Sequence, residues 1–281
     1  MTMSVTTSSS TLPAAPASTS GFWSRDVFDL VALACILFVV LTAVAMLVYP
    51  GGTITDHASR GYRFFENYFS DLGLTRARSG AVNLPAMLLF MVALVSVALA
   101  LGAFFLAFTR FCAAAPRALR LSRGAALAAS LTCVSFIGVA LSPRDLAYPE
   151  HITFELLAFP SFLAAVALEI AALRALERTA PPGLPCRLLW VFAGFAAVLA
   201  AYIALLAFGP SDETLVGEQI QVIGQKVIVS AVIATILLQA IQARRMVSRE
   251  SVPSAPSVPS APKKPGRHAG TGRWRVSRWG P

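Results

Sequence analysis

The stretch LVALACILFVVLTAVAMLVY, residues 30–49, holds twenty residues and no charged side chain. An α-helix rises about 1.5 Å per residue, so a run of that length crosses a hydrocarbon core of about 30 Å. Outward from it, residues 84–109, 124–141, 152–173, 188–208 and 222–241 pass the same test, the third only just. In lipid each backbone N–H and C=O needs a partner within its own segment, which selects helices. A chain of 281 residues with 56% hydrophobic and 13% charged positions is too apolar for an ordinary soluble domain. The expected fold is all-α, a polytopic six-helix transmembrane bundle over residues 24–246.

The basic residues between the runs predict how the bundle sits. Arg110, Arg117, Arg120 and Arg123 follow the second run with no acid among them. Arg174, Arg178 and Arg187 follow the fourth, and Arg244, Arg245 and Arg249 follow the sixth. The alternate connections hold Asp56, Glu66 and Asp71, which nearly offset the four arginines of that loop (Arg60, Arg63, Arg76 and Arg78), then Asp145 and Glu150, then Asp212, Glu213 and Glu218. Both termini are therefore expected in the cytoplasm of a cell (inner) membrane protein. The first run lacks a small-residue cleavage site after it and reads as a signal anchor. Cys35 and Cys133 fall within runs, and Cys112 and Cys186 at cytoplasmic ends, so no disulfide is expected.

Residues 1–23 are rich in Ser, Thr, Ala and Pro and are expected to be disordered, as is the Pro/Ser-rich basic segment 247–281. The latter carries Lys263, Lys264, Arg267, Arg273, Arg275 and Arg278 in a chain of net charge +9. Beneath a membrane, anionic lipid is the nearer partner, at about 1 kcal/mol per basic residue. Trp274 and Trp279 suit the same interface. Membrane lipids are the expected partners and nucleic acid is not. No phosphate-cradling glycine loop or dinucleotide fingerprint is present, and no cofactor is expected.

Small residues suggest how the helices pack. Ala193, Ala197 and Ala201, with Ala196, Ala200 and Ala204 on a neighbouring track, make small-xxx-small rows on the fifth run, and Gly124, Ala128 and Gly138 mark the third. In the first outer loop, Phe65, Tyr68, Phe69 and Leu72 fall at helical spacing, followed by Gly73. This predicts a short amphipathic helix over residues 62–72 at the membrane surface.

The polar residues expected near the outer face form the candidate site. Charges within spans are costly and face a partner or a watery cavity. Glu155 and Lys226 enter the fourth and sixth runs from the same side at similar depth, which predicts that they approach each other, directly or through Gln225. His151 and Glu155 are four apart on one helical face, a spacing that presents two ligands to one metal, with Asp145, Asp71 and His57 on the same side. A hydrolase would prefer more histidines, and outside the tail there are two. No metal is expected. Adjacent Ser70 and Asp71 point in different directions and make no catalytic dyad on spacing alone. Pro160 should kink the fourth helix, and Glu169 should reach headgroups or Arg174.

The run Asn67-Tyr68-Phe69-Ser70-Asp71-Leu72-Gly73, in the outer loop between the first two spans, resembles the bacterial six-helix membrane proteins classed as domain of unknown function 998. It has a distant likeness to the Frag/DRAM/Sfk group through a Ser-Asp-x-Gly element. Tyr49-Pro50-Gly51-Gly52, Pro143-x-Asp145 with His151, and Gln225-Lys226 fit the same pattern, which covers the six spans and not the tails. The resemblance implies a polytopic inner-membrane protein without an established activity; the eukaryotic relatives are linked with membrane-lipid organisation and autophagy. A more remote likeness to seven-helix metal-dependent lipid hydrolases rests on Ser70, Asp71 and His151. The chain departs from those enzymes in lacking paired C-terminal histidines and a seventh span.

The leading expectation is a non-enzymatic protein whose outer cluster of Asn67, Ser70, Asp71, Asp145, His151, Glu155 and Lys226 binds a lipid headgroup or a partner protein. A lipid hydrolase using the Asp/His/Glu cluster comes second and a small transporter third.

Overall fold

The computed structural model describes residues 25–178 and 186–250. Among these, the helices are α1 (Asp26–Val48), α2 (Leu84–Phe108), α3 (Pro116–Leu141), α4 (Tyr148–Glu177), α5 (Cys186–Phe208) and α6 (Leu215–Glu250). All six are long and apolar enough to cross a membrane, making this a multi-pass integral membrane protein. The tails expected to be disordered lie outside the described residues, and with them the basic Lys263–Arg278 stretch.

Proline sets most of the helix ends. Pro85, Pro116 and Pro149 lie in the first turns of α2, α3 and α4, where a missing N–H loses no hydrogen bond. Pro50, Pro143 and Pro210 each stand two residues beyond the ends of α1, α3 and α5. Pro160 lies within a continuous α4.

Each helix packs on its sequence neighbours, and α6 returns to α1, which closes the ring. The interior is aromatic: Phe28, Phe104, Phe105, Phe108, Phe162 and Phe192 are wholly buried and meet largely edge-on or tilted. The small-residue expectation holds for α3, whose buried face is Ala118, Ser122, Ala125, Ala126, Ala129, Thr132 and Ser135. It packs most extensively on α4. It does not hold for α5. There Leu188, Phe192, Phe195, Leu199 and Tyr202 face the core, while Ala197, Ala200, Ala201 and Ala204 are exposed. Large side chains already fill the space beside α5, so four of its six row alanines are left exposed, and Ala193 and Ala196 are half-buried.

Near the end remote from the long 49–83 loop, Glu169 is fully buried and accepts a hydrogen bond from Ser122 Oγ at 3.0 Å. It faces α3 rather than the headgroups or Arg174. Cys35, Cys112 and Cys133 are free thiols.

The 49–83 loop folds as a lid over one end of the bundle, here the capped end. The predicted amphipathic helix is absent: residues 62–72 form a turn closed by Asn67 N–H to Arg63 O, then a single 3₁₀ turn at Ser70–Gly73. The cause is competition from side chains. Asn67 Oδ1 accepts from Arg63 N–H at 2.9 Å, and Asp71 Oδ2 accepts from Tyr68 N–H at 3.0 Å. Phe64 and Phe65 remain exposed, whereas Tyr68 and Leu72 are buried. Gly52, at φ +85, is required as glycine, because a Cβ there would lie 2.2 Å from the Ser79 nitrogen.

Candidate functional site

Three carboxylates and an amide pin the lid. Asp71, fully buried, accepts from Asn67 Nδ2 at 3.1 Å and pairs with Arg78 at 3.0 Å. From α6, Glu218 accepts from Ile54 N–H at 2.7 Å and Thr55 Oγ1 at 2.5 Å, and Gln225 Oε1 accepts from Phe69 N–H at 2.7 Å. From the α3–α4 link, Asp145 accepts from Thr75 N–H and Oγ1 and from Arg76 N–H. Burial opposes the Asp145 charge, but these donors outweigh it and hold its pKa below the ordinary value.

Lys226 belongs to the same fastening. Its Nζ donates to Asn67 O at 2.8 Å and to the Tyr62 hydroxyl. It also lies 4.0, 4.9 and 5.3 Å from the ring centroids of Phe69, Tyr62 and Phe64. Burial, and next the charge of Asp71, keep the Tyr62 phenol protonated well above its usual range. Tyr49 is pushed up to about 12 by the same two causes.

The expected approach of Lys226 to Glu155 is not seen. Lys226 turns into the lid, and among the described residues Glu155 has neither a hydrogen bond nor an ion pair. Matching depth along two helices leaves their rotations free, and the lid's carbonyls and rings lie nearer to Lys226.

Glu155 instead faces a half-open cavity of about 290 Å³ at the capped end, bounded by α4, α5, α6 and the lid. Ser70, Gln225 and Tyr202 share that wall, and Arg144 and Asp212 face it from the two links. Arg144 stands 4.0 Å from Asp212 and lies over the rings of Tyr68 and Tyr148 at 5.8 and 5.3 Å. Burial disfavours the Arg144 cation, yet the oxygens of Tyr148, Asp71 and Asp212 outweigh it and raise its pKa. Tyr68 donates to Asp212 at 3.3 Å, and burial followed by that carboxylate raises the phenol's pKa. The cavity thus presents both signs of charge with hydroxyl and amide groups between them.

The seven residues expected to form one site divide. Ser70 and Glu155 face the cavity. Asn67, Asp71 and Lys226 hold the lid from within, and Asp145 holds it from the α3–α4 link. His151 is buried, donates from Nδ1 to Ser142 O at 2.7 Å, and lines a second, apolar cavity beyond Glu155. Among the described residues no three of His, Cys, Asp and Glu gather as metal ligands. Arg144, Asp212, Tyr68 and Tyr202 were not singled out from sequence as site residues. Arg144 in the Pro143-Arg144-Asp145 turn carried the one signal, a cation in an otherwise acidic connection. A wider basin of about 520 Å³ lies on the other side of Arg144; its one carboxylate, Asp145, is already occupied by Thr75 and Arg76, so it lacks the free acid that Glu155 gives the first cavity.

No family model, curated protein or solved structure matches this chain.

Proposed function

We propose that this is a non-enzymatic inner-membrane protein, with both termini cytoplasmic, whose capped-end cavity binds a zwitterionic lipid headgroup on the outer side. The observation behind this reading is the half-buried, unpartnered carboxylate of Glu155 sharing a 290 Å³ cavity with the Arg144 guanidinium. A ligand ammonium complements Glu155, and its phosphate complements Arg144. The Tyr68, Tyr202, Ser70 and Gln225 side chains supply hydrogen bonds around the two charges.

The orientation rests on charge. Arg110, Arg117, Arg120, Arg123, Arg174, Arg178, Arg244 and Arg245 lie at the uncapped end. At the capped end Arg63, Arg78 and Arg144 are matched by Glu66, Asp71 and Asp212, and the further Arg60 and Arg76 are outnumbered by Asp56, Asp145, Glu150, Glu213 and Glu218. Kinship with the domain of unknown function 998 proteins, proposed on the Asn67–Gly73 run, agrees with this arrangement, and that run supplies the core of the lid.

Native mass spectrometry of protein purified from membranes tests the headgroup reading. Wild type should retain phosphatidylethanolamine, and Glu155→Gln and Arg144→Gln should each lose most of it. Equal retention in all three would remove the reading.

A further inference from the structure

At the uncapped end, α3 and α4 carry five arginines that the bundle itself does not use. Arg117, Arg120 and Arg123 lie in the first two turns of α3, and Arg174 and Arg178 at the end of α4. All five are exposed, and among the described residues their side chains make no ion pair or hydrogen bond. Glu177 is the one exposed acid on these two helix ends, and it pairs with none of them. Glu169 is buried on Ser122.

Spacing sets the face on which the cations stand. Arg120 lies seven residues before the exposed Leu127, and Leu131 and Val134 continue that row along α3. Arg117 and Arg123, three residues to either side, flank it. On α4, Arg174 stands seven residues after the exposed Ala167, and Arg178 fourteen after the exposed Ala164. Each helix thus shows lipid an apolar row that ends in cations. The two ends are adjacent, because Ala115 and Ala118 bury against Ala172 and Leu176 there. Cations in the first turns of a helix oppose its dipole, so the stability of α3 gives no reason for them. An orientation signal counts cations wherever they point, so it gives no reason for a shared row.

We propose that the ends of α3 and α4 hold the phosphate of an anionic phospholipid, whose chains lie along the row from Leu127 to Val134. Guanidinium forks match phosphate oxygens. The apolar row beside them makes the phosphate a lipid's rather than a free ion's. From Arg117 to Arg123 the helix rises about 9 Å, comparable with a headgroup layer of about 5–7 Å. Arg123, the deepest, reaches that layer by extending its stem. Under the orientation proposed above, the site lies in the inner leaflet. It is at the opposite end of the bundle from the Glu155 cavity and lacks a carboxylate like Glu155, so it takes a second lipid and stands independently of the zwitterionic reading.

The test is native mass spectrometry of the full chain in detergent, titrated with dioleoyl phosphatidylglycerol and with dioleoylglycerol, which has the same chains without the phosphate. Wild type should bind the phospholipid at least about tenfold more tightly. Arg117→Gln/Arg120→Gln/Arg123→Gln should weaken that binding about tenfold or more. Arg120→Gln alone, which leaves the other cations of that connection to orient the chain, should weaken it about threefold. Two controls remove charge elsewhere: Arg110→Gln, in the same connection but off α3, and Lys263→Gln/Lys264→Gln/Arg267→Gln in the tail. Both should stay within about twofold of wild type. A loss in either control as large as in the triple α3 variant would show that the lipid reads net charge, and overturns the site. So does equal affinity of wild type for the two lipids, or undiminished phospholipid binding by a folded α3 variant.

Discussion

The Asp71 carboxylate, at 0% exposure, lies 3.0 Å from the guanidinium of Arg78, which is 24% exposed. One ion of the pair is thus dry and the other touches water. Seven residues apart, they close the lid's second half onto the buried Asn67 amide. Asp71→Asn keeps the shape and removes the charge, and should destabilise the protein by about 2 kcal/mol. That is below the value for a fully buried pair because Arg78 is partly solvated. Thermal unfolding of Asp71→Asn, Arg78→Ala and the double variant checks it. The two effects should be less than additive, and simple additivity would contradict the pairing.

Lys226→Met should loosen the lid without unfolding the bundle. The substitution keeps much of the stem's length but removes a cation worth about 2 kcal/mol over aromatic rings in a dry setting. Hydrogen exchange at residues 62–69 should speed up while α2 and α3 remain protected. Unchanged exchange there would show that the rings and carbonyls hold the lid by themselves.

Two glycines separate close packing from slack. A Cβ on Gly138 would lie 2.4 Å from Phe154 Cγ, at the root of a ring between α3 and α4. A Cβ on Gly224 would meet Leu205 Cδ2 at 2.2 Å, the free end of a flexible side chain. Gly138→Ala should therefore lower stability by about 1–3 kcal/mol. Gly224→Ala should be near neutral, or stabilising through its helix propensity. Melting curves of the two variants in one detergent decide it; the reverse order would refute the packing argument.

Asp145 gives the capped end an acid sensitivity of known sign. Its pKa is lower folded than unfolded, so its contribution is complete above the ordinary carboxyl value of about 3.9. That contribution fades as pH falls through the lowered folded value. Melting temperature should drop on acidification below about pH 4 more steeply in wild type than in Asp145→Asn. Parallel profiles would exclude this carboxylate as the cause.

Orientation can be read with a thiol. Cys35, Cys112 and Cys133 lie within or at the ends of spans, and Cys35 and Cys112 are buried; with Cys186 at the start of α5 replaced by Ser, native background labelling should be low. Ser79→Cys in the lid, at an exposed position, should react with a membrane-impermeant maleimide on intact cells, and Arg117→Cys only after lysis. The opposite result would invert the proposed map.

The six spans were readable because an apolar run of about twenty residues admits one physical solution in lipid. The lid was not, and its failure is specific. Phe65, Tyr68, Phe69 and Leu72 have helical spacing, but the segment's hydrogen bonds are made by Asn67, Asp71 and partners on α6 such as Gln225 and Lys226. Periodicity reports on local contacts and is silent about contacts some 160 residues away. The same limit explains Lys226. Its place in the apolar run sets how deep it enters α6, while the helix rotation that turns it away from Glu155 depends on the whole ring. Arg144 and Asp212 were out of reach for a similar reason, since two separate turns meet only after the ring closes.

Because Glu218, Gln225 and Lys226 all come from α6, the last of the described helices, the lid near the start of the chain lacks these three fastenings, and has from the bundle's links only Asp145, until α6 is made. The Ile54 and Phe69 N–H groups and the Tyr62 hydroxyl wait in water until α6 is inserted. Completion of α6 thus doubles as a checkpoint: a nascent chain stalled before residue 215 would display a protease-sensitive flap, and one carrying α6 would not.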